Sequence, residues 1–253
     1  LTPTRFVWEP DIYLEHERVP AGARLAFKAI LPWLRRWDLR AAQGVDHFVA
    51  ISSLVRERID RIYGRESTVI FPPTDLRRFR PDPIAPGDHY LVLARLAPYK
   101  RIDLAVEAFN QLGRRLIVVG DGRDRQRLEA LAGPTVTFCG RLPQAEVDRL
   151  LYTCRALIWP GIEDFGLAPV EAMAAGRPVI ARRAGGVLDT VLEGETGVFF
   201  DAAEPASLAQ AVLRAEAIDW RTDRIRRHAQ HFGLEPFAAS LTALLSEALA
   251  RGR

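Results

Sequence analysis

The amino-acid sequence predicts an α/β fold built on a doubly wound parallel sheet. Three observations carry this reading. From residue 89 onward, short apolar runs alternate regularly with amphipathic stretches, the pattern of parallel strands joined by helices on both faces. Ahead of them, Arg80-Pro81-Asp82-Pro83-Ile84-Ala85-Pro86-Gly87 combines prolines and a glycine with little to bury, which marks a linker. A boundary at residues 80/81 therefore divides the chain into 1–80 and 81–253. Finally, the apolar run 155–159 leads through Pro160-Gly161-Ile162-Glu163-Asp164-Phe165-Gly166 into a helical stretch containing Pro169 and Glu171. Proline tolerates only the first helical turn, so this helix is expected to start close to Leu167.

Along the chain, residues 1–20 are polar and aromatic, with no clear period. A helix is predicted over 21–42, kinked at Pro32. It mixes Leu25, Ile30, Leu31, Leu34, Trp37 and Leu39 with Arg24, Lys28, Arg35, Arg36 and Arg40. Such a basic, Trp-bearing helix either packs on its own domain or lies on an anionic membrane surface. Residues 45–51 read as a strand. Ser52 then caps a helix that runs to Tyr63 and stops at Gly64, and 68–71 form a second strand before Pro72-Pro73. Beyond the linker, strands are expected at 89–94, 114–119, 134–139, 155–159, 177–181 and 197–200. The intervening helices are expected at 101–112, 123–132, 143–153, 167–175, 186–193 and 204–216. Two more helices follow, near 220–231 and 235–251.

Composition sets broad limits. The 253 residues are 48% hydrophobic and 26% charged, with a net charge of +3. That suits a soluble globular core, and the excess charge is too small and scattered to argue for nucleic acid. Only Lys28 and Lys100 are lysine; every other basic side chain of this type is arginine. Cys139 and Cys154 lack metal-ligand spacing and read as free thiols, in keeping with a reducing cytosol. His16, His47, His89, His228 and His231 show no zinc pattern, and no apolar run reaches the ~18 residues of a membrane span. No signal peptide is seen.

Residues suited to a phosphorylated ligand gather at the expected strand ends. Arg95 closes the strand at 89–94, with Lys100 and Arg101 where the next helix begins. Cations are unfavourable at a helix N-terminus unless an anion sits there too, and an arginine fork with a lysine point charge suits a diphosphate. Gly120 and Gly122 follow the next strand; position 125 is arginine, so they do not form a dinucleotide fingerprint, and a plain turn explains them as well as ligand approach. Gly140-Arg141-Leu142 could border a base or ribose. Gly185-Gly186 opens a further helix as an anion or sugar pocket. Around Phe165, Gly166 and Leu167, free N–H groups at a helix start would favour an anion. No Ser–His–Asp arrangement, nucleophile elbow, Walker loop or zinc motif is present.

Taken together, these segments resemble the retaining group 1 glycosyltransferases of GT-B fold, in a mannosyltransferase-like branch. The likeness is carried by Asp46–Ser53, Ile70–Asp75 with Arg78-Phe79, Arg95 with Lys100, Val118–Gly122, Phe138 with Gly140-Arg141, the Glu163–Glu171 element, and Gly176–Ala181 with Gly185-Gly186. The resemblance implies a Rossmann-like donor domain over 81–253, its last helix packing back toward a remnant of the acceptor domain over 1–80. It implies that Arg95 and Lys100 bind the donor diphosphate and stabilise the leaving nucleotide. Glu163 would contact the transferred sugar, Glu171 the ribose hydroxyls, and Arg141 with Leu142 the base. The donor would be GDP- or UDP-linked, with no catalytic metal and no nucleic acid. The acceptor would be a glycan or polyprenyl-linked, as in polysaccharide or glycolipid biosynthesis, at a cytoplasmic location with peripheral contact at the inner face of the plasma membrane. A histidine usual in the family's N-terminal domain has no counterpart: His16 does not fit its spacing, and the expected position lies near or before Leu1. The chain reads as a fragment. A nucleotide-sugar epimerase and a non-catalytic nucleotide-binding domain remain the alternatives.

Overall fold

A computed structural model of the chain describes residues 2–11, 20–79 and 85–251. His16 and residues 80–84 of the expected linker lie outside these. The chain forms two compact units, Leu1–Pro72 with Phe237–Arg253, and Pro73–Pro236. The division falls at 72/73 because the segment after it is tied into the second unit. There Thr74 N donates to Phe232 O at 2.8 Å, and Arg78 pairs with Glu171 at 2.5 Å.

In the first unit, α1 (Arg5–Trp8) and α2 (Ala21–Gln43) precede β1 (Phe48–Ala50), α3 (Ser53–Tyr63) and β2 (Ser67–Val69). β1 and β2 pair in parallel. Ser52 accepts from Val55 N at 3.2 Å to cap α3, and Gly64, at φ 61°, ends it, so both ends form as the sequence predicts. Ala50, Val55 and Ile59 are buried between the strands and α3. α2 runs continuously through Pro32. Its inner face is tied down at Asp38, which accepts from Trp8 Nε1 at 2.6 Å and Tyr63 Oη at 2.8 Å.

The second unit holds β3 (His89–Leu93), α4 (Ile102–Leu112), β4 (Arg115–Val119), α5 (Arg125–Leu131), β5 (Val136–Gly140), α6 (Gln144–Thr153) and β6 (Leu157–Trp159). It continues through α7 (Leu167–Ala174), β7 (Val179–Arg182), α8 (Val187–Thr190), β8 (Gly197–Phe200), α9 (Pro205–Glu216) and α10 (Thr222–Ala229). The final helix, α11 (Leu234–Arg251), crosses the division at 236/237, with most of its length in the first unit. The six strands lie in the order β5-β4-β3-β6-β7-β8, all parallel. The chain therefore winds outward from β3 through β4 to β5, returns to β6, and winds the other way.

Alternate strand residues explain the layers. Tyr90, Val92, Leu116, Val118, Ile158, Ile180, Val198 and Phe200 share one core with α4, α5 and α9, while α6 and α7 pack against β3 and β6 from the other side. This is the doubly wound parallel sheet the sequence predicts. Several elements are shorter than expected, α8 among them: it stops at Thr190 rather than 193. Thr196 Oγ1 accepts from Leu192 N at 2.8 Å and turns the chain early. Cys154 is fully buried, which pushes its thiol up to about 12, whereas Cys139 is half-buried. In a thiol-reagent titration at pH 8, Cys154 is expected to react only after unfolding; labelling of Cys154 in the native state would contradict this burial.

Candidate functional site

Parallel strands end on one edge of the sheet, and a ligand crevice forms where the winding reverses. Here the reversal lies between β3 and β6. The two loops that flank it are those that follow these strands: 94–101, carrying Arg95 and Lys100, and 160–166, carrying Glu163. The sequence-predicted residues from these loops are thus neighbours by topology.

Lys100 ends a 3-10 turn, Pro98–Lys100, started by Pro98. Its ammonium forms an ion pair with Glu163 and lies 5.4 Å from the ring centre of Tyr99 and 5.3 Å from that of Trp159. Two aromatic faces and one carboxylate hold a single cation there. Trp159 is buried, and its Nε1 has no acceptor among the described residues. Arg95 is exposed and makes no ion pair or side-chain hydrogen bond within the described residues. Arg101 differs from expectation. It sits in the left-handed region at φ 53° and is bound to Asp103 at 3.1 Å, so the acid of the first turn of α4 answers its charge.

α7 begins at Leu167, as Pro169 predicts. Gly166 stands at its start at φ 91°, a conformation that favours glycine, and no side chain caps the helix. The N–H groups of Gly166, Leu167 and Ala168 find no acceptor among the described residues. A helix start of this kind favours an anion. The Phe165 ring is buried edge-on to Phe232, with centres 5.9 Å apart, so any contribution to a ligand is left to its backbone.

Glu171, one turn into α7, pairs with Arg78 at 2.5 Å. Burial raises the Glu171 pKa above the ordinary carboxylate range; Arg78 opposes that rise and Asp148 adds to it. Arg141 is exposed and Leu142 half-buried just past β5. Among the described residues, no cluster of three or more His, Cys, Asp or Glu side chains is placed to hold a metal ion.

Gly120, Gly122, Gly161 and Gly186 are places of close backbone approach. A side chain on Gly120 or Gly122 would collide with the Ala94 or Leu96 carbonyl. Their N–H groups are used as well, Gly120 toward Gly140 O and Gly122 toward Asp121 Oδ1, each at 2.8 Å. Gly186 likewise donates to Glu163 O at 2.8 Å, rather than offering that N–H to an anion. A β-carbon on Gly161 would stand 2.7 Å from the Lys100 carbonyl oxygen, and one on Gly186 2.5 Å from Phe165 Cα. These glycines let neighbouring loops touch, which fixes Lys100 against Glu163. Sequence reading left Arg78 without a role and took Trp159 only as a strand residue. A lone arginine before a phenylalanine and an apolar strand end carry no local signal of a site.

The fold and crevice define a doubly wound α/β domain with an anion-suited edge at its switch point. The family model for glycosyl transferases group 1 matches residues 79–232, and the chain belongs to that family. Among curated proteins, it is 31% identical over 215 residues to a GDP-mannose-dependent alpha-(1-6)-phosphatidylinositol monomannoside mannosyltransferase of Mycobacterium tuberculosis, covering 73% of this chain and 56% of that one. It is 32% identical over 225 residues to a D-inositol 3-phosphate glycosyltransferase of Acidothermus cellulolyticus, covering 78% of this chain and 50% of that one. The chain thus spans about half the length of these relatives. Among solved structures, HepE of Anabaena in complex with UDP superposes with a TM-score of 0.72 at 23% identity, covering 84% of this chain and 68% of that one. That likeness supports the fold.

The loop contacts make a stability test. Gly186 has an ordinary φ of −65° but no room for a β-carbon, whereas Gly194, at φ 76°, has open space. Gly186→Ala is expected to cost about 3 kcal/mol from overpacking, and Gly194→Ala about 1 kcal/mol from backbone conformation alone. Urea unfolding measures both; equal losses would contradict the close approach.

Proposed function

We propose that the second unit binds the nucleotide part of a GDP- or UDP-linked sugar donor, in a protein that transfers a hexose, mannose by preference, with retention to a glycan or polyprenyl-linked acceptor. The observation that supports this reading most is the meeting of Lys100, Glu163 and the uncapped start of α7 beside the β3/β6 switch point. In the proposed reaction the bond from the anomeric carbon to the diphosphate oxygen breaks, its electron pair leaving on the phosphate. The oxygen of an acceptor hydroxyl takes its place on that carbon, and the hydroxyl proton passes to the departing phosphate oxygen. Negative charge grows on the departing diphosphate, and Arg95, Lys100 and the first N–H groups of α7 stabilise it most at that moment. Lys100 first gives up its pairing with Glu163, which frees that carboxylate for the sugar hydroxyls. Glu171 receives the ribose hydroxyls, and Arg141 with Leu142 borders the base. The cations take the charge-balancing part, so nucleotide binding is proposed to be independent of metal.

Calorimetric titration with GDP, UDP and ADP, with and without magnesium, tests the assignment. One nucleotide is expected to bind with a dissociation constant on the order of 10 µM, unchanged by magnesium. Lys100→Ala is expected to weaken that nucleoside diphosphate about tenfold or more while changing the nucleoside less than about twofold. Equal losses would remove Lys100 from the diphosphate site. Net sugar transfer by the whole protein separates this reading from an epimerase, which would interconvert the donor sugar, and from a domain that only binds.

For the first unit, we propose contact with an anionic lipid surface through α2. Leu25, Trp33 and Trp37 are 72%, 60% and 60% exposed, and helical spacing puts Arg36 and Arg40 on the same outward face. Aromatic rings beside arginines suit the headgroup layer. Among the described residues no helix is long and apolar enough to cross a membrane. Co-sedimentation with phosphatidylglycerol-containing vesicles is expected, weakened by salt and about tenfold by Trp33→Ser with Trp37→Ser. Equal binding by the variant, or none by the parent chain, would refute this contact.

A further inference from the structure

Arg78 stands just before the core of the second unit, on a 3-10 turn, Leu76–Arg78, that Asp75 caps by accepting from Arg77 N at 3.3 Å. Its guanidinium reaches two carboxylates on two helices: Glu171 of α7 at 2.5 Å and Asp148 of α6 at 3.7 Å. Below it lies the Phe79 ring, 4.7 Å from the guanidinium carbon. Phe79 packs edge-on against Tyr152 of α6, with ring centres 5.9 Å apart, and Tyr152 Oη donates to the Arg78 carbonyl at 3.5 Å. Backbone and side chain of Arg78 are therefore both fixed by α6 while its charge is directed at α7.

The shortest contact runs from Nη2 to Glu171 Oε1, and the same guanidinium faces Asp148. A carboxylate held by a guanidinium that is itself fixed on α6 keeps its direction. A carboxylate receives two ligand hydroxyls well only when it is ionised and fixed in direction. Burial works against the first requirement, and a freely rotating side chain would fail the second.

We propose that Arg78 is a positioning residue for ribose recognition, holding the Glu171 carboxylate in the direction that meets the hydroxyl pair of the ribose. This rests on the assignment of Glu171 to the ribose. Arg78 does not touch the nucleotide in this arrangement and acts through Glu171 alone.

The test compares GDP with 2′,3′-dideoxy-GDP, and UDP with its dideoxy form, by calorimetry on the parent chain, Arg78→Met, Arg78→Lys and Glu171→Gln. Thermal unfolding of each variant checks that it folds. The parent chain is expected to prefer the ribonucleotide about tenfold, as hydrogen bonds to a charged group allow. Arg78→Met is expected to bring the ratio to about twofold or less while leaving the dideoxy affinity within about twofold, and Arg78→Lys to give an intermediate ratio. A parental ratio in Arg78→Met, or equal loss for both nucleotides, overturns the proposal and leaves the ribose assignment standing. A parental ratio in Glu171→Gln, or no preference in the parent chain, removes the ribose assignment and the proposal with it. If Arg78→Met does not fold, Arg78→Lys decides: an intermediate ratio supports the proposal, and a parental one overturns it.

Discussion

The loops that leave β3, β6 and β7 approach so closely that no side chain fits between their backbones at Gly161 and Gly186. This contact fixes what the edge of the sheet can do. It lays the Lys100 carbonyl over Gly161 and the Glu163 carbonyl over Gly186 N. A flexible lysine and a loop glutamate are thereby held in register, where loose loops would leave them apart. The ion pair between them, boxed by Tyr99 and Trp159, follows from backbone packing more than from any attraction of its own.

Charge at the site is arranged in two matched pairs, Lys100 with Glu163 and Arg78 with Glu171. Each carboxylate is held by a cation from a segment N-terminal to it, one after β3 and one before β3. Two consequences follow. The carboxylates stay oriented without ligand, which lowers the ordering cost of binding. An anion arriving at Lys100 would exchange partners with an existing pair, so the affinity gained there would come from the difference between two electrostatic arrangements.

Much of the fold was legible because its signals are local. Ser52 and Gly64 bracket α3 by cap chemistry, Pro169 sets the start of α7, and short apolar runs mark the buried strands. The end of α8 was not legible, since it depends on a hydrogen bond that Leu192 N donates to the Thr196 side chain. The glycines show the limit best. For Gly120 and Gly122 the sequence left a plain turn and ligand approach equally open, and Gly186 read as part of an anion or sugar pocket, because a glycine after a strand looks the same whether a ligand or a neighbouring backbone fills the gap. Only the fold shows Ala94, Leu96 and Asp164 there. Arg78 was hidden for a related reason: its partner Glu171 lies far along the chain, and no short pattern links a turn before the sheet to a helix after its fourth strand.

The central claim is that Lys100 meets the ligand's phosphates, and the chain offers a direct view of it, since Lys28 and Lys100 are its only lysines. Side-chain NMR on lysine-labelled protein gives two ε-methylene signals, told apart by Lys28→Arg. Addition of GDP or UDP should shift the Lys100 signal, as its ammonium leaves Glu163 and the two aromatic rings, and leave Lys28 unmoved. A bound nucleotide that leaves the Lys100 signal in place would contradict the assignment of the site.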